Sequence, residues 1–463
     1  MVITPQANSK CLEMFMLGFL IRFIIEILFW PIPVGYDAST SYVLMCVCGK
    51  IDAKVLRAPL YPLLLMILSR LTGNALLTIK ICSSIVSGFF MFSLAIWGQT
   101  IGISKSQLKG FCIAIYSFYV VMRLAWDLHR NLLAITFALL AISYRKSKLG
   151  RTIIFTILSI FSHPFAITII GSAILADLLE RHRESYILFG ALLASIGAFL
   201  LVYSSHDPKF LYYIFSESWY ISPQLLPIYI LWLYAPTYPY VVKAWILIRN
   251  KMTSFKKILQ RQMYYWIILS LIAAFMTKFS YRMVFMAAIP VAVMMFKVSV
   301  IKGNRRAVTY LIAYNIIISA IYPAFFYIFP VHPSFRRTHP PVLIGPNMFP
   351  NDGNNVIKMF RRALSMLHDN ETIIVHYAEI AYAYIAGIPL CEDFIIITSS
   401  DSTFDEYLII ARSRGFHIAY IVWYINAPIG SVEAPLGGVL IAHEGNIGLF
   451  VYYLQDTFPT ITY

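Results

Sequence analysis

Two short polar motifs interrupt an apolar sequence and carry the side chains best suited to chemistry. The first is the run PVGYD at residues 33–37, which ends at Asp37 directly after a long apolar segment. The second contains Asp127, His129 and Arg130 and follows another apolar segment. A carboxylate or an imidazole can act as a general base, and the two together can hold a divalent ion. The structural alternatives are a helix cap or surface charge at Asp37, and an ion pair between Asp127 and Arg130.

These motifs lie in a chain with the composition of a membrane protein. Of its 463 residues, 59% are hydrophobic and only 13% are charged, and the mean hydropathy is +0.71. Apolar runs long enough to cross a hydrocarbon core of roughly 30 Å recur between Leu12 and Phe329. The composition excludes an ordinary soluble globular protein and predicts a polytopic α-helical membrane protein with about 11 membrane segments, two of them short.

The net charge of +15 is unevenly distributed. Residues 1–329 contain 30 Lys and Arg against 10 Asp and Glu, whereas residues 330–463 contain 7 against 12. The basic excess lies in short loops rather than in a nucleic-acid-binding patch, so no nucleic-acid partner is predicted. By the positive-inside rule, such loops mark the cytoplasmic side. The basic loops are residues 145–151, 181–183, 249–261 and 302–306, with a weaker pair at Lys105 and Lys109.

Alternation across these loops predicts a multi-pass plasma-membrane protein with a cytoplasmic N-terminus. The first span would run from about Leu12 to Pro31, and residues 33–73 would form an outer loop whose stretch Tyr61–Leu71 lies along the surface. Further spans are expected near residues 75–97, 111–125, 132–143, 186–202, 225–248, 264–277, 283–300 and 310–329. With this topology, Asp37 and Asp127 share the outer face.

Residues 152–179 need another explanation because basic loops flank both ends. A single helix of this length would place those loops on opposite sides of the membrane. The run Ser162-His163-Pro164 supplies a break, since proline removes a backbone donor and disfavours helix at the preceding residue. We therefore predict two half-helices that turn back within the membrane, with His163 as a packing residue in the break.

The sequence changes character after Pro330, where a proline-rich linker precedes alternating strand-like and helix-like segments. This pattern predicts an extracytoplasmic α/β domain over residues 330–463, beside a membrane domain over residues 1–329. Strands are expected at 372–376, 394–398, 417–423 and 438–442, and helices at 378–386 and 404–414. The six cysteines lack metal-ligand spacing and predict neither a zinc site nor redox chemistry.

The sequence contains no Gly-rich phosphate loop and no serine nucleophile elbow, so an activated group would have to arrive in the membrane. Three motifs resemble the GT-C class of glycosyltransferases. These are integral-membrane enzymes that use polyprenyl-phosphate-linked sugars, such as protein O-mannosyltransferases and aminoarabinose transferases. The motifs are Gly35-Tyr36-Asp37, Arg57-Ala58-Pro59-Leu60-Tyr61-Pro62 and Asp127-Leu128-His129-Arg130-Asn131. The predicted topology also fits this class.

The resemblance implies that Asp37 is the catalytic carboxylate and that the reaction inverts the anomeric carbon. Transfer to a hydroxyl needs a base near the acceptor oxygen and a stabilised leaving group, which agrees with Asp37 as general base. Asp127, His129 and Arg130 would orient the acceptor. Alternatively, Asp37, Asp127 and His129 would hold a divalent metal ion. The acceptor class stays open between protein, lipid and glycan.

A donor phosphate at the outer face requires positive charge. Arg282 is the first candidate, because GT-C enzymes often carry an arginine near a late outer hairpin, and Arg57 and Lys278 follow. Interfacial snorkelling is the common fate of any one such side chain, so the prediction concerns the group. Arg22 and Glu26, four residues apart in the first span, predict either an intramembrane pair or a polar cavity beneath Asp37.

Other functions stay open at this level. A transporter or a flippase of lipid-linked sugars would also use buried charges, although no inverted repeat is visible in the sequence. A noncatalytic anchor would not need about eleven spans, and another membrane transferase such as a polysaccharide polymerase or ligase is a further alternative. The favoured prediction is transfer of a sugar from a polyprenyl (dolichyl-type) phosphate to an acceptor at the outer face, with the outer domain selecting the acceptor.

Overall fold

The computed structural model describes two compact units that do not follow chain order. The helical unit comprises Met1–Ile25, Ile51–Leu64 and Ile81–Ile344, and the mixed unit comprises Glu26–Lys50, Leu65–Lys80 and Gly345–Tyr463. Arg57, Asp127, Lys278 and the predicted linker after Pro330 lie outside the described residues. The described residues are 5–49, 58–126, 128–145, 147–180, 184–204, 221–277, 280–301, 305–328, 352–398, 404–426, 434 and 437–454.

Helices make up most of the described chain up to residue 328. They are α1 (Pro5–Leu28), α2 (Tyr36–Ser39), α3 (Ser41–Cys48), α4 (Leu60–Thr72), α5 (Ala75–Thr100), α6 (Leu108–Tyr116), α7 (Tyr119–Trp126), α8 (His129–Tyr144), α9 (Leu149–Ser162), α10 (Ile167–Leu179), α11 (Glu184–Ser204), α12 (Leu226–Leu233), α13 (Tyr238–Arg249), α14 (Phe255–Ile258), α15 (Arg261–Met276), α16 (Ser280–Met286), α17 (Ala288–Val300) and α18 (Arg305–Ile328). Short 3-10 turns, Pro164–Ala166 and Ala235–Thr237, precede α10 and α13.

Two helical stretches in the described residues, Ala75–Thr100 and Tyr281–Val300, are long and apolar enough to cross a membrane. The bent pair α6 and α7, which meet at 72°, would count as a third span. Five apolar helices of 10 to 17 residues, including α9 and the stretch Pro164–Leu179, accompany them. The spans predicted near residues 75–97 and 283–300 thus coincide with these two stretches, while the number of about 11 membrane segments stays a prediction.

The span predicted over residues 111–125 is not one straight helix. The helix breaks at Ser117 because α18 hydrogen-bonds the carbonyls exposed at the bend. Asn315 Nδ2 donates to the Ala114 oxygen over 3.0 Å, and Ser319 Oγ donates to the Ser117 oxygen over 3.3 Å. Side chains that satisfy freed carbonyls are a common cause of sharp kinks in helices.

The predicted break between two half-helices is confirmed, whereas their turn within the membrane stays a prediction. Helix α9 ends at Ser162, His163 is extended with φ −168° and ψ 127°, and α10 begins after a 3-10 turn. Arg145, just before α9, forms a two-pronged ion pair with Asp177 near the end of α10, with N···O distances of 2.7 and 3.1 Å. The pair joins the two ends of the hairpin that lie away from the break at His163. Each half-helix is only about 20 Å long, too short to cross a hydrocarbon core of about 30 Å.

Close helix packing in the helical unit depends on glycine. A Cβ atom at Gly18 of α1 would lie 2.6 Å from the Met91 side chain and 2.7 Å from the Ser87 oxygen on α5. A Cβ atom at Gly88 of α5 would lie 2.9 Å from Phe15 of α1. Small residues at such crossings let helix backbones approach closely, which is typical of packing in membranes.

Helix α4 forms where a surface helix was predicted. Leu63, Ile67 and Leu71 are spaced four residues apart and are 38%, 60% and 77% exposed, whereas Tyr61 and Leu65 are fully buried. The exposed side chains form one apolar stripe along the helix. An amphipathic helix of this kind is suited to lie on a membrane surface.

The C-terminal residues of the mixed unit form a five-stranded mixed sheet. Its elements are α19 (Gly353–Met366), β1 (Glu371–Val375), α20 (Ile380–Ala386), β2 (Ile395–Ile397), α21 (Phe404–Ser413), β3 (Ile418–Tyr424), β4 (Val439–Glu444) and β5 (Ile447–Tyr453). The strand order is β2-β1-β3-β5-β4, with β1 parallel to β2 and β3, and β5 antiparallel to β3 and β4. The four predicted strands and both predicted helices are present, whereas α19 and β5 were not predicted.

The cysteines correct the sequence-based expectation. Cys48 at the end of α3 and Cys391 between α20 and β2 form a disulfide that joins residues 343 positions apart. The other four cysteines are not in disulfide bonds. The sequence did not indicate this pair, because spacing along the chain carries no information on a bond that only the folded unit brings together.

Candidate functional site

Asp37 lies in a short helical turn of the mixed unit. Gly35 precedes the turn with φ +111°, a conformation that favours glycine. Helix α2 begins at Tyr36, so Asp37 lies within the helix and Gly35 occupies the N-cap position. The Ser41 hydroxyl donates a hydrogen bond to the main-chain oxygen of Asp37 over 3.3 Å. The alternative of Asp37 as a helix cap therefore does not apply.

A buried ion pair organises the segment that leads to Asp37. Lys80 Nζ lies 3.3 Å from Glu26 Oε2, and both side chains are almost completely buried. The ammonium also donates to the main-chain oxygens of Glu26 at 2.6 Å and Ile32 at 2.8 Å. Glu26 Oε2 accepts a hydrogen bond from the Val34 amide at 3.0 Å. These contacts satisfy carbonyl and amide groups at the end of α1, where the helical ladder stops.

Lys80 is a positioning residue that the sequence-based reasoning missed. The ammonium beside Glu26 comes from α5, whereas the pairing of Arg22 with Glu26 stays a prediction. The signal that could have identified Lys80 is its position as a single charge inside the apolar run 75–97, since a charge in a span generally has a buried polar partner.

His129 begins α8 in the helical unit and is completely buried. Its Nε2 lies 3.4 Å from Nη2 of Arg22, and its ring stacks against Tyr61 with 5.7 Å between centroids. The Arg22 guanidinium also lies 5.6 Å from the centroid of the Trp126 ring. His129 is thus part of a packed group of cationic and aromatic side chains, with no surface of its own for a large acceptor.

The metal ion expected at Asp37, Asp127 and His129 stays a prediction. Asp127 lies outside the described residues, and Asp37 and His129 belong to different compact units. The guanidinium of Arg22 near His129 Nε2 would repel a divalent cation at that nitrogen. Within the described part of the chain, no group of three or more His, Cys, Asp and Glu is arranged to hold a metal ion. No chemical step is therefore assigned to a metal.

Three basic side chains gather at the break between α9 and α10, and we name them the basic cluster: Arg130, His163 and Arg282. His163 interacts electrostatically with both arginines. Its Nδ1 accepts a hydrogen bond from the Phe165 amide at 3.3 Å, so in the neutral ring Nε2 carries the proton. Arg282 Nε donates to Tyr281 Oη over 2.8 Å. Guanidinium groups and an imidazole N–H are donors suited to a phosphate.

The structure places two of the predicted site residues, Arg130 and Arg282, within electrostatic range of His163. His163 itself was expected to serve packing alone. His129 is adjacent to Arg130 in sequence but contacts Arg22, because consecutive helical residues point about 100° apart. The proline-induced break at His163 was the available signal, since breaks in membrane helices often accompany binding sites.

Apolar helices that qualify as spans, a hairpin of half-helices and a five-stranded sheet fit an integral membrane protein of the helical class. The chain shares its fold with ArnT from Cupriavidus metallidurans, whose crystal structure contains bound undecaprenyl phosphate. The TM-score is 0.55 over 96% of this chain and 97% of ArnT, at 9% sequence identity. No family model and no curated protein sequence matches the chain. At this identity, the likeness establishes the fold and not the activity.

Proposed function

We propose that the protein is a membrane glycosyltransferase of the GT-C class, which moves a sugar from a polyprenyl phosphate to an acceptor at the outer membrane face. The observation that carries the proposal is the fold shared with ArnT over almost the whole of both chains, since the ArnT structure holds undecaprenyl phosphate. The motifs around Asp37, Arg57 and Asp127 support the same class independently, because they come from the sequence rather than from the fold.

The basic cluster would bind the phosphate of the donor. The polyprenyl phosphate gains negative charge as its bond to the sugar breaks, and preorganised cationic donors stabilise that charge in a weakly hydrated site. The meeting of Arg130 and Arg282 around His163 supports this role. Arg57 and Lys278 would complete the group of phosphate ligands predicted from the sequence.

Asp37 would act as the general base. Its carboxylate accepts the proton of the acceptor hydroxyl while that oxygen attacks the anomeric carbon from the side opposite the phosphate. A bond forms between the acceptor oxygen and the anomeric carbon as the bond from that carbon to the phosphate oxygen breaks. The electron pair leaves with the polyprenyl phosphate, and the single displacement inverts the anomeric configuration.

Asp37 and the sheet would lie on the outer side of the plasma membrane, with the N-terminus in the cytoplasm. The disulfide between Cys48 and Cys391 supports this arrangement, because disulfides persist in oxidising compartments and are rare in the cytosol. The acceptor would be a protein, lipid or glycan that reaches the outer face, and the sheet domain would help to select it.

Transfer of labelled sugar from extracted polyprenyl-phosphate donors by membranes that contain the protein tests this proposal. Asp37→Asn should lower kcat by about 10²- to 10⁴-fold, because the amide cannot take the acceptor proton, and the KM for the donor should change little. The matched control is Glu13→Gln. It removes a carboxylate whose pair with Lys109 is solvent-exposed, and it should leave transfer unchanged.

Two outcomes would contradict the proposal at different levels. Equal transfer by wild type and Asp37→Asn, at equal amounts of folded protein, would remove Asp37 from the mechanism. A wild-type protein that transfers no sugar across a broad panel of donors and acceptors would reject the enzyme proposal. Movement of the lipid-linked sugar across reconstituted vesicles would then identify the flippase alternative.

A further inference from the structure

The segment that carries Asp37 is covalently attached to the C-terminal sheet domain within the mixed unit. Helix α3 follows α2 directly and ends at Cys48, whose disulfide partner is Cys391. The two Cα atoms lie 5.4 Å apart. Asp37 is therefore separated from Cys48 by only about three turns of helix. The disulfide partner of Cys48, Cys391, lies 343 residues further along the chain.

Packing supports the covalent link. Helix α3 contacts α20, the helix that precedes Cys391, and it also contacts α2. Tyr42 and Val43 of α3 are almost completely buried. The helix ends in a left-handed residue, Gly49, whose amide donates to the Met45 oxygen. The disulfide is thus attached to a well-formed helix and not to an irregular segment.

The opposite end of the same segment is held by a different interaction. Lys80 binds the main-chain oxygens of Glu26 and Ile32, and Glu26 binds the Val34 amide, three residues before Asp37. The ion pair therefore restrains the entry to the turn, and the disulfide restrains its exit. A segment restrained at both ends has few alternative positions for the side chain between them.

We propose that the Cys48–Cys391 disulfide is a positioning element for the Asp37 turn, so that the C-terminal sheet domain is part of the reaction machinery and not only a module for the acceptor. This inference rests on the proposed role of Asp37 as general base. A base must be held within hydrogen-bond reach of the acceptor oxygen, and a misplacement of about 1 Å can cost about 100-fold in rate.

A cleavable chain tests the link without any transfer assay. A protease site is inserted after Pro341 in the full-length protein, and the cleaved protein is run on a denaturing gel. We expect the two fragments to migrate together without reductant and to separate after treatment with a phosphine. Cys391→Ser should give separate fragments under both conditions. The control is Cys46→Ser, which removes a thiol that is not in a disulfide bond and lies two residues from Cys48, and it should behave like wild type. Separate fragments in oxidised wild type would overturn the proposal.

Hydrogen exchange then tests positioning. We expect exchange in residues 36–48 to become about tenfold faster in Cys391→Ser and in reduced wild type, while strand β3 keeps its protection. The kcat for transfer should fall by about 100-fold, with the donor KM within about twofold of wild type, and reoxidation should restore it. Cys46→Ser is again the control.

The outcomes separate this inference from the proposed function. Unchanged exchange in residues 36–48, or faster exchange spread over the whole sheet, would overturn the positioning role, since the disulfide would then be idle or a general stabiliser. Unchanged kcat in a folded Cys391→Ser protein would overturn it as well. If wild type transfers no sugar, the proposed function fails, and the gel and the exchange data still decide whether the disulfide holds the Asp37 turn.

Discussion

Two groups of basic side chains in this protein have opposite surroundings. In the mixed unit, Lys80 lies beside the Glu26 carboxylate and binds main-chain oxygens. In the helical unit, Arg130 and Arg282 meet around His163. Opposite charges offset the cost of leaving water, whereas positive charges of the same sign add their potentials. The first group is therefore suited to hold backbone in place, and the second is suited to attract an anion.

Removal of Lys80 should produce the largest effect. Lys80→Met takes away the ammonium beside a buried carboxylate, and breaking such a pair costs about 3–5 kcal/mol in the free energy of unfolding. Unfolding in detergent, followed by tryptophan fluorescence, measures the loss. The control is Arg261→Met, whose pair with Glu180 is 3.8 Å long and well exposed, with an expected cost of about 0–1 kcal/mol. Equal losses in the two variants would mean that the Lys80 pair does not restrain the segment.

His376 sharpens the comparison, because it is a basic group buried mainly among aromatic side chains. It packs against Phe404 and Trp423, and burial lowers its pKa from 6.5 to about 4. The unfolded chain therefore takes up this proton more readily than the folded protein does. The contribution to stability should be complete above pH 6.5 and should be lost as the pH falls towards 4, by at most about 3 kcal/mol.

The pH dependence due to His376 has to be measured in a variant that lacks the Glu379 carboxyl group. Burial raises the pKa of Glu379 above 4.5, so the folded protein keeps a proton that the unfolded chain releases, and stability falls as the pH rises. This slope opposes that of His376. In the Glu379→Gln variant, we expect the free energy of unfolding to rise from pH 4 to 6.5. Adding His376→Gln to this variant should flatten the rise. Adding His443→Gln instead, on the exposed strand β4, should leave the rise unchanged. A rise that persists in the His376 variant would assign it to other groups.

Removal of one arginine from the basic cluster should affect the reaction and not the fold. Arg282→Met deletes charge-assisted hydrogen bonds to the donor phosphate, worth about 1.5–3 kcal/mol, or roughly 10- to 150-fold in kcat/KM. Transfer assays over a range of donor concentrations measure this change. Arg151→Met, in the first turn of α9 where Arg151 lies 5.3 Å from the Tyr144 ring centroid, should keep wild-type kinetics. An Arg282→Met protein that is less stable than wild type but keeps the wild-type kcat/KM would contradict the comparison.

The smallest expected effect concerns the turn before Asp37. Gly35→Ala forces a Cβ atom into a conformation with φ +111°, which costs about 1–2 kcal/mol. The midpoint temperature of thermal unfolding and the kcat should both decrease slightly. Gly150→Ala is the control, because it lies in α9 with open space around its Cα and should be neutral or stabilising by about 0.5–1 kcal/mol. Identical behaviour of the two variants would show that the turn tolerates a side chain.

Patterns within one element of the chain were predictable. The break at His163 followed from proline, the stripe of α4 from its four-residue spacing, and the parallel strands β1, β2 and β3 from alternation of strand and helix. The strand β5 was missed although it forms a tight hairpin with β4, in which Glu444 pairs with Ile447, so a local signal was present. The bend between α6 and α7 was missed for a different reason, because its hydrogen-bond donors come from α18, which is distant in sequence.

The sequence by itself determined that the chain is an apolar, mostly helical protein with a C-terminal sheet, because hydropathy and periodicity are local properties. It also singled out Asp37, Arg130 and Arg282 as candidate site residues, through their charge in an apolar context. Only the tertiary structure decided which side chains interact. Lys80 pairs with Glu26, His163 interacts electrostatically with two arginines, and Cys48 is bonded to Cys391. Interactions between side chains depend on distance in space, and residues 343 positions apart have no fixed distance until the unit folds.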